Sequence, residues 1–118
     1  MNYREALERI GGDYPFLEEL LNLYQEEFSA KFIRIQKSID QENFRQIEEL
    51  GHCLKGASAI LSLGPLENAF FELEMAGRER DIEKAKKIPP LLDQEFEKLK
   101  DFLAKMRSTQ VFEARIGE

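Results

Sequence analysis

The chain has 118 residues, which is enough for one domain with a single core. Charged residues make up 34% of it and the formal net charge is −6, a globular composition whose sign opposes generic nucleic-acid binding. One Cys excludes a disulfide framework, one His and one Cys are too few for the usual zinc sites, and no apolar run is long enough to cross a membrane.

A short lead helix and a long helix are predicted at the start of the chain. The lead helix covers residues 3–10 and ends at Gly11-Gly12. Asp13 is a suitable N-cap for a long helix over about residues 15–38. Its apolar residues recur at three- and four-residue steps and form one core-facing stripe: Leu17, Leu21, Tyr24, Phe28, Phe32, Ile35 and Ile39.

Two more long helices follow. Asp40 or Asn43 caps a helix over about residues 42–62, whose apolar face is Ile47, Leu50, Leu54, Ala57 and Leu61. Gly64-Pro65 then breaks the chain and restarts it, since Pro is favoured at a first helical position. The inner face of this third long helix is Leu66, Ala69, Phe70, Leu73 and Gly77.

The last part of the chain is predicted to hold one more long helix. A helical run starts at Asp81 and meets Pro89-Pro90, which must kink or restart it. The final amphipathic helix carries Leu92, Phe96, Leu99, Phe102, Leu103 and Met106. Residues 108–118 lose the pattern and are predicted to be a tail or frayed helix end, which leaves 1–107 as the domain. Short connections between long amphipathic helices predict an antiparallel up-and-down four-helix bundle with a short lead helix.

The only His of the chain is predicted to point outward from the second long helix. His52 lies about 180° from the apolar stripe of its helix, with Lys55 and Gly56 one turn on and Arg45 two turns before. A mid-helix Gly costs about 1 kcal/mol relative to Ala, which indicates that something approaches closely beside His52. A neutral imidazole with cations nearby can accept a phosphoryl group. A surface His without a role is the alternative.

Other kinds of site are not supported. No second His or Cys stands at a metal-ligand spacing from His52. The chain has no Gly-rich phosphate loop, no Walker-type Lys and no obvious Mg²⁺ cage, so no ATP, metal or cofactor of its own is expected. Ser58 lies at the flank of the apolar stripe, where a polar contact to a neighbouring helix is its expected role.

The segment His52-Cys53-Leu54-Lys55-Gly56-Ala57-Ser58 resembles the H-x-L-K-G-x-S/A signature of histidine-containing phosphotransfer (HPt) domains. Residues 11–21 resemble the family's entry into its first long helix, and residues 73–81 the end of its third. The resemblance covers roughly residues 4–106. It implies a four-helix bundle in which His52 is the exposed phospho-acceptor through Nε2. Lys55 would screen the phosphoryl charge, Gly56 would leave room for it, and Arg78 matches a basic residue that some members place near the site.

Two residues depart from the family's pattern. Ser62 stands where the family usually has Gly, and Gly64 comes two residues later, so we expect a shifted or differently shaped turn. Glu74 stands where some members have Gln, which would place a negative charge close to the site and tune partner choice or the phosphohistidine lifetime.

The resemblance implies a phosphocarrier that exchanges a phosphoryl group with receiver-domain aspartates in a two-component phosphorelay. Its partners would be response-regulator receiver domains and a hybrid sensor histidine kinase, with Mg²⁺ on the receiver only. We expect a cytoplasmic monomer that is not an autonomous enzyme and binds neither nucleic acid nor membrane. The alternatives are a non-phosphorylated helical adaptor and the dimeric phospho-acceptor domain of a histidine kinase, although Cys53 replaces the acidic residue usual in the latter.

The partner is expected to dock over the face that carries His52. Phe71 and Met75 lie off the core face of their helix and are candidate apolar anchors. Packing of both on the neighbouring helix or the lead helix is the alternative. The predicted partner surface comprises Arg45, Glu49, Lys55, Ala59, Phe71, Glu74, Met75 and Arg78.

Overall fold

The computed structural model describes residues 2–116, with side chains for 2–106. Its backbone in that range is helical without strands, which confirms the all-α prediction. The helices are α1 (Tyr3–Arg9), α2 (Tyr14–Asp40), α3 (Phe44–Ile60), α4 (Gly64–Glu79), α5 (Ile82–Lys86) and α6 (Ile88–Ile116). The predicted tail over 108–118 lies outside the residues with described side chains, and the domain limit at residue 107 stays a prediction.

Short polar side chains begin four of these helices. Asn2, Asp13, Asn43 and Asp81 each accept a hydrogen bond from a backbone N–H three residues on. Of the two candidate caps for α3, Asn43 is therefore the one used. Pro89-Pro90 lies in the first turn of α6, so the proline pair restarts the helix after the short α5.

Of the two expected departures of the turn after α3, a shift or a different shape, the shift is not seen, because the left-handed residue is Ser62 and not Gly64. Ser62 itself adopts the left-handed conformation, with φ 56°. The Ser62 N–H donates to the Ala59 carbonyl and the Leu63 N–H to the Ser58 carbonyl, which together form a Schellman ending. Glu42 and Arg80 occupy equivalent left-handed positions after α2 and α4, where glycine is usual.

The predicted apolar stripes supply most of the core, although Ala57, Phe102 and Met106 are only half-buried. Every predicted stripe residue of α2 is buried except Phe32, which is half-buried, and the inner face of α4 is fully buried. The Phe28 ring stacks on Phe96 of α6, with centroids 3.9 Å apart, and meets the edge of Phe70 of α4. Within the described range no helix is long and apolar enough to span a membrane.

The α3 and α4 helices form the most extensive interface of the molecule and approach each other most closely at two glycines. A Cβ built on Gly51 would lie 2.6 Å from the Glu74 nitrogen, and one on Gly77 would lie 2.5 Å from the Glu48 nitrogen. Each glycine therefore lets the backbone of the opposite helix rest against its own. This contact places the outer side chains of α3 and α4 side by side.

Candidate functional site

His52 projects from the middle of α3 with 72% of its side chain exposed, as the helical period predicts. Its Nδ1 lies 3.1 Å from Oε2 and 3.4 Å from Oε1 of Glu74 on α4. Among the described residues, Nε2 has no hydrogen-bond partner. The ring is thus held at one nitrogen and presents the other to the outside.

Glu74 is a buried carboxylate, and only 3% of its side chain is exposed. It also accepts hydrogen bonds from Nζ of Lys55, at 2.9 Å and 3.2 Å. Burial alone would raise the pKa of the Glu74 carboxyl, but the hydrogen bonds from Lys55 and His52 outweigh burial and lower it. Glu74 is therefore ionised at neutral pH. Its place on the partner surface stays a prediction, and its burial indicates that any influence on a partner would pass mainly through His52 and Lys55, the residues that it holds.

The charge on Glu74 decides which ring nitrogen of His52 carries the proton. An ionised carboxylate only accepts hydrogen bonds, so Nδ1 must be the donor. When the ring is neutral, the proton is on Nδ1 and Nε2 keeps its lone pair. The contact with Glu74 thus makes the exposed nitrogen the nucleophilic one.

Lys55 lies between the buried carboxylate and an exposed aromatic ring. Its ammonium is paired with Glu74 and lies 5.5 Å from the centroid of the Phe71 ring. In this state the charge of Lys55 is directed toward α4 and compensates the buried Glu74. A role in screening a phosphoryl group, as the resemblance implies, requires the ammonium to direct one of its three N–H groups toward His52 while it keeps a bond to Glu74.

An open cleft adjoins His52 on the side of the α3 N-terminus. Its lining residues are Arg45, Glu48, Glu49, His52, Glu74 and Arg78. Nε of Arg78 lies 3.3 Å from Oε2 of Glu48, and Nε of Arg45 lies 3.2 Å from Oε1 of Glu49. All four of these side chains are at least a third exposed, so each pair contributes little free energy and can open toward an incoming anion.

The other side of His52 is open and partly apolar. A Cβ at Gly56 would meet no atom within 4 Å, so Gly56 leaves empty space beside the imidazole. Phe71 is 44% exposed, whereas Met75 is half-buried. Ala59 is half-buried, and its carbonyl accepts a hydrogen bond from Arg9 of the lead helix.

Ser58 has the structural role that its position predicts. Its hydroxyl is buried and lies 2.7 Å from the Leu54 carbonyl oxygen, to which it donates. The hydroxyl of Tyr24 on α2 lies 2.7 Å from Oγ of Ser58 and donates to it, because the Ser58 proton is used in the bond to Leu54. Burial raises the pKa of Tyr24 well above its usual value, so the phenol remains protonated. Ser58 therefore ties α3 to α2 and is not part of the site.

Sequence reasoning missed two contributors to this region. Gly51 was not considered, although a second mid-helix glycine on the α3 face that carries Leu50 and Leu54 was a signal for close packing. Glu48 was not considered either, because its partner Arg78 comes from another helix and no local spacing reveals the pair. Among the described residues, no group of three His, Cys, Asp or Glu side chains is arranged to hold a metal ion.

Comparison with protein families matches residues 19–107 to the Hpt domain. The matched range contains α3 and α4 complete, and with them His52, Lys55 and Glu74. No curated protein and no solved structure gives a significant match.

Proposed function

This chain belongs to the Hpt domain family, whose members are phosphocarrier modules of phosphorelays, and from that premise we propose that His52 is its phospho-acceptor. The observation that carries the proposal is the asymmetry of the imidazole. Nδ1 is hydrogen-bonded to the buried carboxylate of Glu74, whereas Nε2 faces outward. The space next to Gly56 is empty. A single proton position and an accessible lone pair are what a nitrogen nucleophile needs.

The proposed step is an in-line transfer from the aspartyl phosphate of a receiver domain. The Nε2 lone pair of His52 forms the N–P bond while the O–P bond breaks, and its electron pair leaves with the aspartate carboxylate. The proton stays on Nδ1, and the positive charge that develops on the ring faces Glu74. In the reverse step the neutral imidazole leaves with the same proton on Nδ1. Neither direction requires a proton to move, so positioning and charge account for the catalysis.

The cationic side chains around His52 are suited to bind a phosphoryl group reversibly. Arg45 and Arg78 are paired with exposed carboxylates in the adjoining cleft, from which they can turn toward a phosphoryl oxygen. Lys55 would contribute by dividing its hydrogen bonds between Glu74 and the phosphoryl group. The receiver would supply Mg²⁺ and most other catalytic groups, which makes this chain a phosphocarrier and not an autonomous enzyme.

We propose that receiver domains and a hybrid sensor histidine kinase dock over the face formed by α3 and α4. Phe71 is the apolar anchor of this surface because it is exposed and lies beside Lys55. The proposed scaffold is an antiparallel up-and-down bundle of α2, α3, α4 and α6, supported by their short connections and mutual contacts. We further propose a cytoplasmic monomer, since the single Cys53 offers no intramolecular disulfide of the kind common in oxidising compartments.

A phosphotransfer assay tests the proposal. A panel of receiver domains is loaded with radioactive phosphate and mixed with the wild-type chain, with His52→Gln and with Lys37→Gln, an exposed position on α2, as a control. We expect acid-labile, base-stable label on wild type and on the control but not on His52→Gln. Absence of label from wild type across the panel, with helicity intact, would instead favour a non-phosphorylated adaptor.

A further inference from the structure

The backbone contact of Gly51 with Glu74 coincides with the contact between the side chains of His52 and Glu74. We infer that Gly51 is a positioning residue, whose missing side chain lets α4 come close enough for Glu74 to reach the imidazole. This inference rests on the proposed function of His52 and concerns how the ring is oriented for it.

No side chain fits at position 51 without displacement of α4. A Cβ there would lie 2.6 Å from the nitrogen and 2.9 Å from the Cα of Glu74, and 2.9 Å from the carbonyl oxygen of Phe70. All three are backbone atoms, which cannot rotate away as a side chain does. Since carbon contacts are comfortable only at about 3.5 Å or more, the helices would have to part by about 1 Å at this point.

The hydrogen bond between His52 and Glu74 has no room for such a movement. The separation of Nδ1 and Oε2 is 3.1 Å, already near the long end of the normal range. An outward shift of about 1 Å would carry the pair beyond hydrogen-bond distance. The Glu74 side chain is buried and tied to Lys55, so it has little freedom to follow the ring.

The second glycine of the crossing shows the same arrangement in mirror form. Gly77 touches the backbone of Glu48, and Glu48 pairs with Arg78, the residue after Gly77. Likewise Gly51 touches the backbone of Glu74, and the Glu74 side chain is hydrogen-bonded to His52, the residue after Gly51. Each glycine therefore allows a glutamate of the opposite helix to reach the side chain of the residue that follows the glycine. Of the two glutamates, only Glu74 is buried, so only its contact with His52 can hold a proton on one ring nitrogen.

The test is the tautomer of the neutral His52 ring, read from its ¹⁵N chemical shifts. Wild type is expected to show a protonated Nδ1 and an unprotonated Nε2. Gly51→Ala should show a mixture of tautomers and phosphotransfer about tenfold slower, as is common when an orienting partner is lost. Gly64→Ala is the control, because a Cβ at Gly64 meets nothing within 4 Å and should leave the shifts unchanged.

One further variant keeps the inference falsifiable if Gly51→Ala does not fold. Glu74→Asp leaves Gly51 in place and draws the carboxylate back by one methylene, so it should give the same mixture of tautomers. If Glu74→Asp keeps the wild-type shifts, close approach is not what brings the carboxylate to the ring, and the inference is overturned. Where Gly51→Ala does fold, adding it to Glu74→Ala should change the shifts no further, and an additional change would also overturn the inference.

The tautomer measurement is independent of the proposed function. A wild-type chain that takes no label from any receiver would contradict the phospho-acceptor role of His52 and leave the tautomer result standing. Unchanged shifts in a folded Gly51→Ala that accepts phosphate normally would contradict the role of Gly51 alone.

Discussion

The reactivity that we propose for His52 depends on one buried side chain of another helix. Without Glu74, a neutral imidazole could carry its proton on either nitrogen. With it, the proton of the neutral ring is on Nδ1 and the exposed Nε2 keeps the lone pair that the proposed transfer needs. The buried carboxylate is in turn compensated by Lys55, so the first turn after His52 supplies the charge that Glu74 needs.

Sequence reasoning predicted only part of this arrangement. The outward direction of His52 follows from the helical period, and the positions of Lys55 and Gly56 follow from the same helix. The burial of Glu74 could not be predicted, because it depends on how closely α3 and α4 cross. That distance depends on Gly51 and Gly77, which contact residues at least 19 positions away in the chain.

The pairing of Glu74 makes stability depend on pH in a defined direction. Hydrogen bonds from Lys55 and His52 lower the pKa of Glu74 in the folded state, against the effect of burial. The Glu74 carboxyl therefore binds a proton more readily in the unfolded chain than in the folded one. The stabilisation is present above pH 4.5, the ordinary pKa of a Glu carboxyl, and is lost as the pH falls below that value. We expect Glu74→Gln to lose less stability than wild type over that acidic range, as measured by urea unfolding at neutral and acidic pH.

Glu48→Gln is the matched control for this pH effect. Glu48 also forms an interhelical ion pair but is 34% exposed, so its removal should leave the acid dependence close to that of wild type. An equal change of acid dependence in both variants would contradict the special role of the buried carboxylate.

At the scale of the helices, the sequence indicates the starts better than the ends. Asn and Asp caps can be recognised in a sequence because their side chains accept a hydrogen bond from the backbone N–H three residues on, which few other residue types can do. The ends of α2, α3 and α4 use Glu42, Ser62 and Arg80 in left-handed conformations, where a glycine would have marked the turn. For this reason the sequence does not reveal that the turn after α3 forms at Ser62.

The turn after α3 offers a stabilising substitution. Ser62 pays a steric cost for its φ of 56°, and its buried Oγ has no hydrogen-bond partner among the described residues. Ser62→Gly should raise the free energy of unfolding by about 1 kcal/mol, measured by urea denaturation. Ser62→Ala removes the hydroxyl but keeps a Cβ in the left-handed conformation, so its gain should be smaller. Equal gains would show that backbone strain is not the cause.

At the scale of the whole molecule, the fold separates stability from recognition. The buried rings of Phe28, Phe70 and Phe96 join α2, α4 and α6 in the core, while α3 and α4 present their outer residues around His52. Docking of a receiver should therefore depend on exposed groups whose loss does not disturb the core. The all-helical fold and its family were predictable from the apolar stripes and the signature around His52.

Phe71 tests that separation. We expect Phe71→Ala to weaken binding of a receiver about tenfold, because truncating an aromatic interface anchor commonly costs more than 1 kcal/mol. Its helicity and free energy of unfolding should remain close to those of wild type. Leu91→Ala, which removes a similarly exposed apolar side chain from α6, should bind normally. A large loss of stability in Phe71→Ala would place that ring in the core instead.

The most direct test of the role proposed for His52 is to identify the atom that carries the phosphoryl group. Wild-type chain labelled with ¹⁵N-histidine is phosphorylated by a loaded receiver and examined by NMR for coupling between ³¹P and the ring nitrogens of His52, the only histidine. We predict coupling to Nε2, with the proton retained on Nδ1 beside Glu74. Coupling to Nδ1, or a phosphoryl group on any other residue, would contradict it.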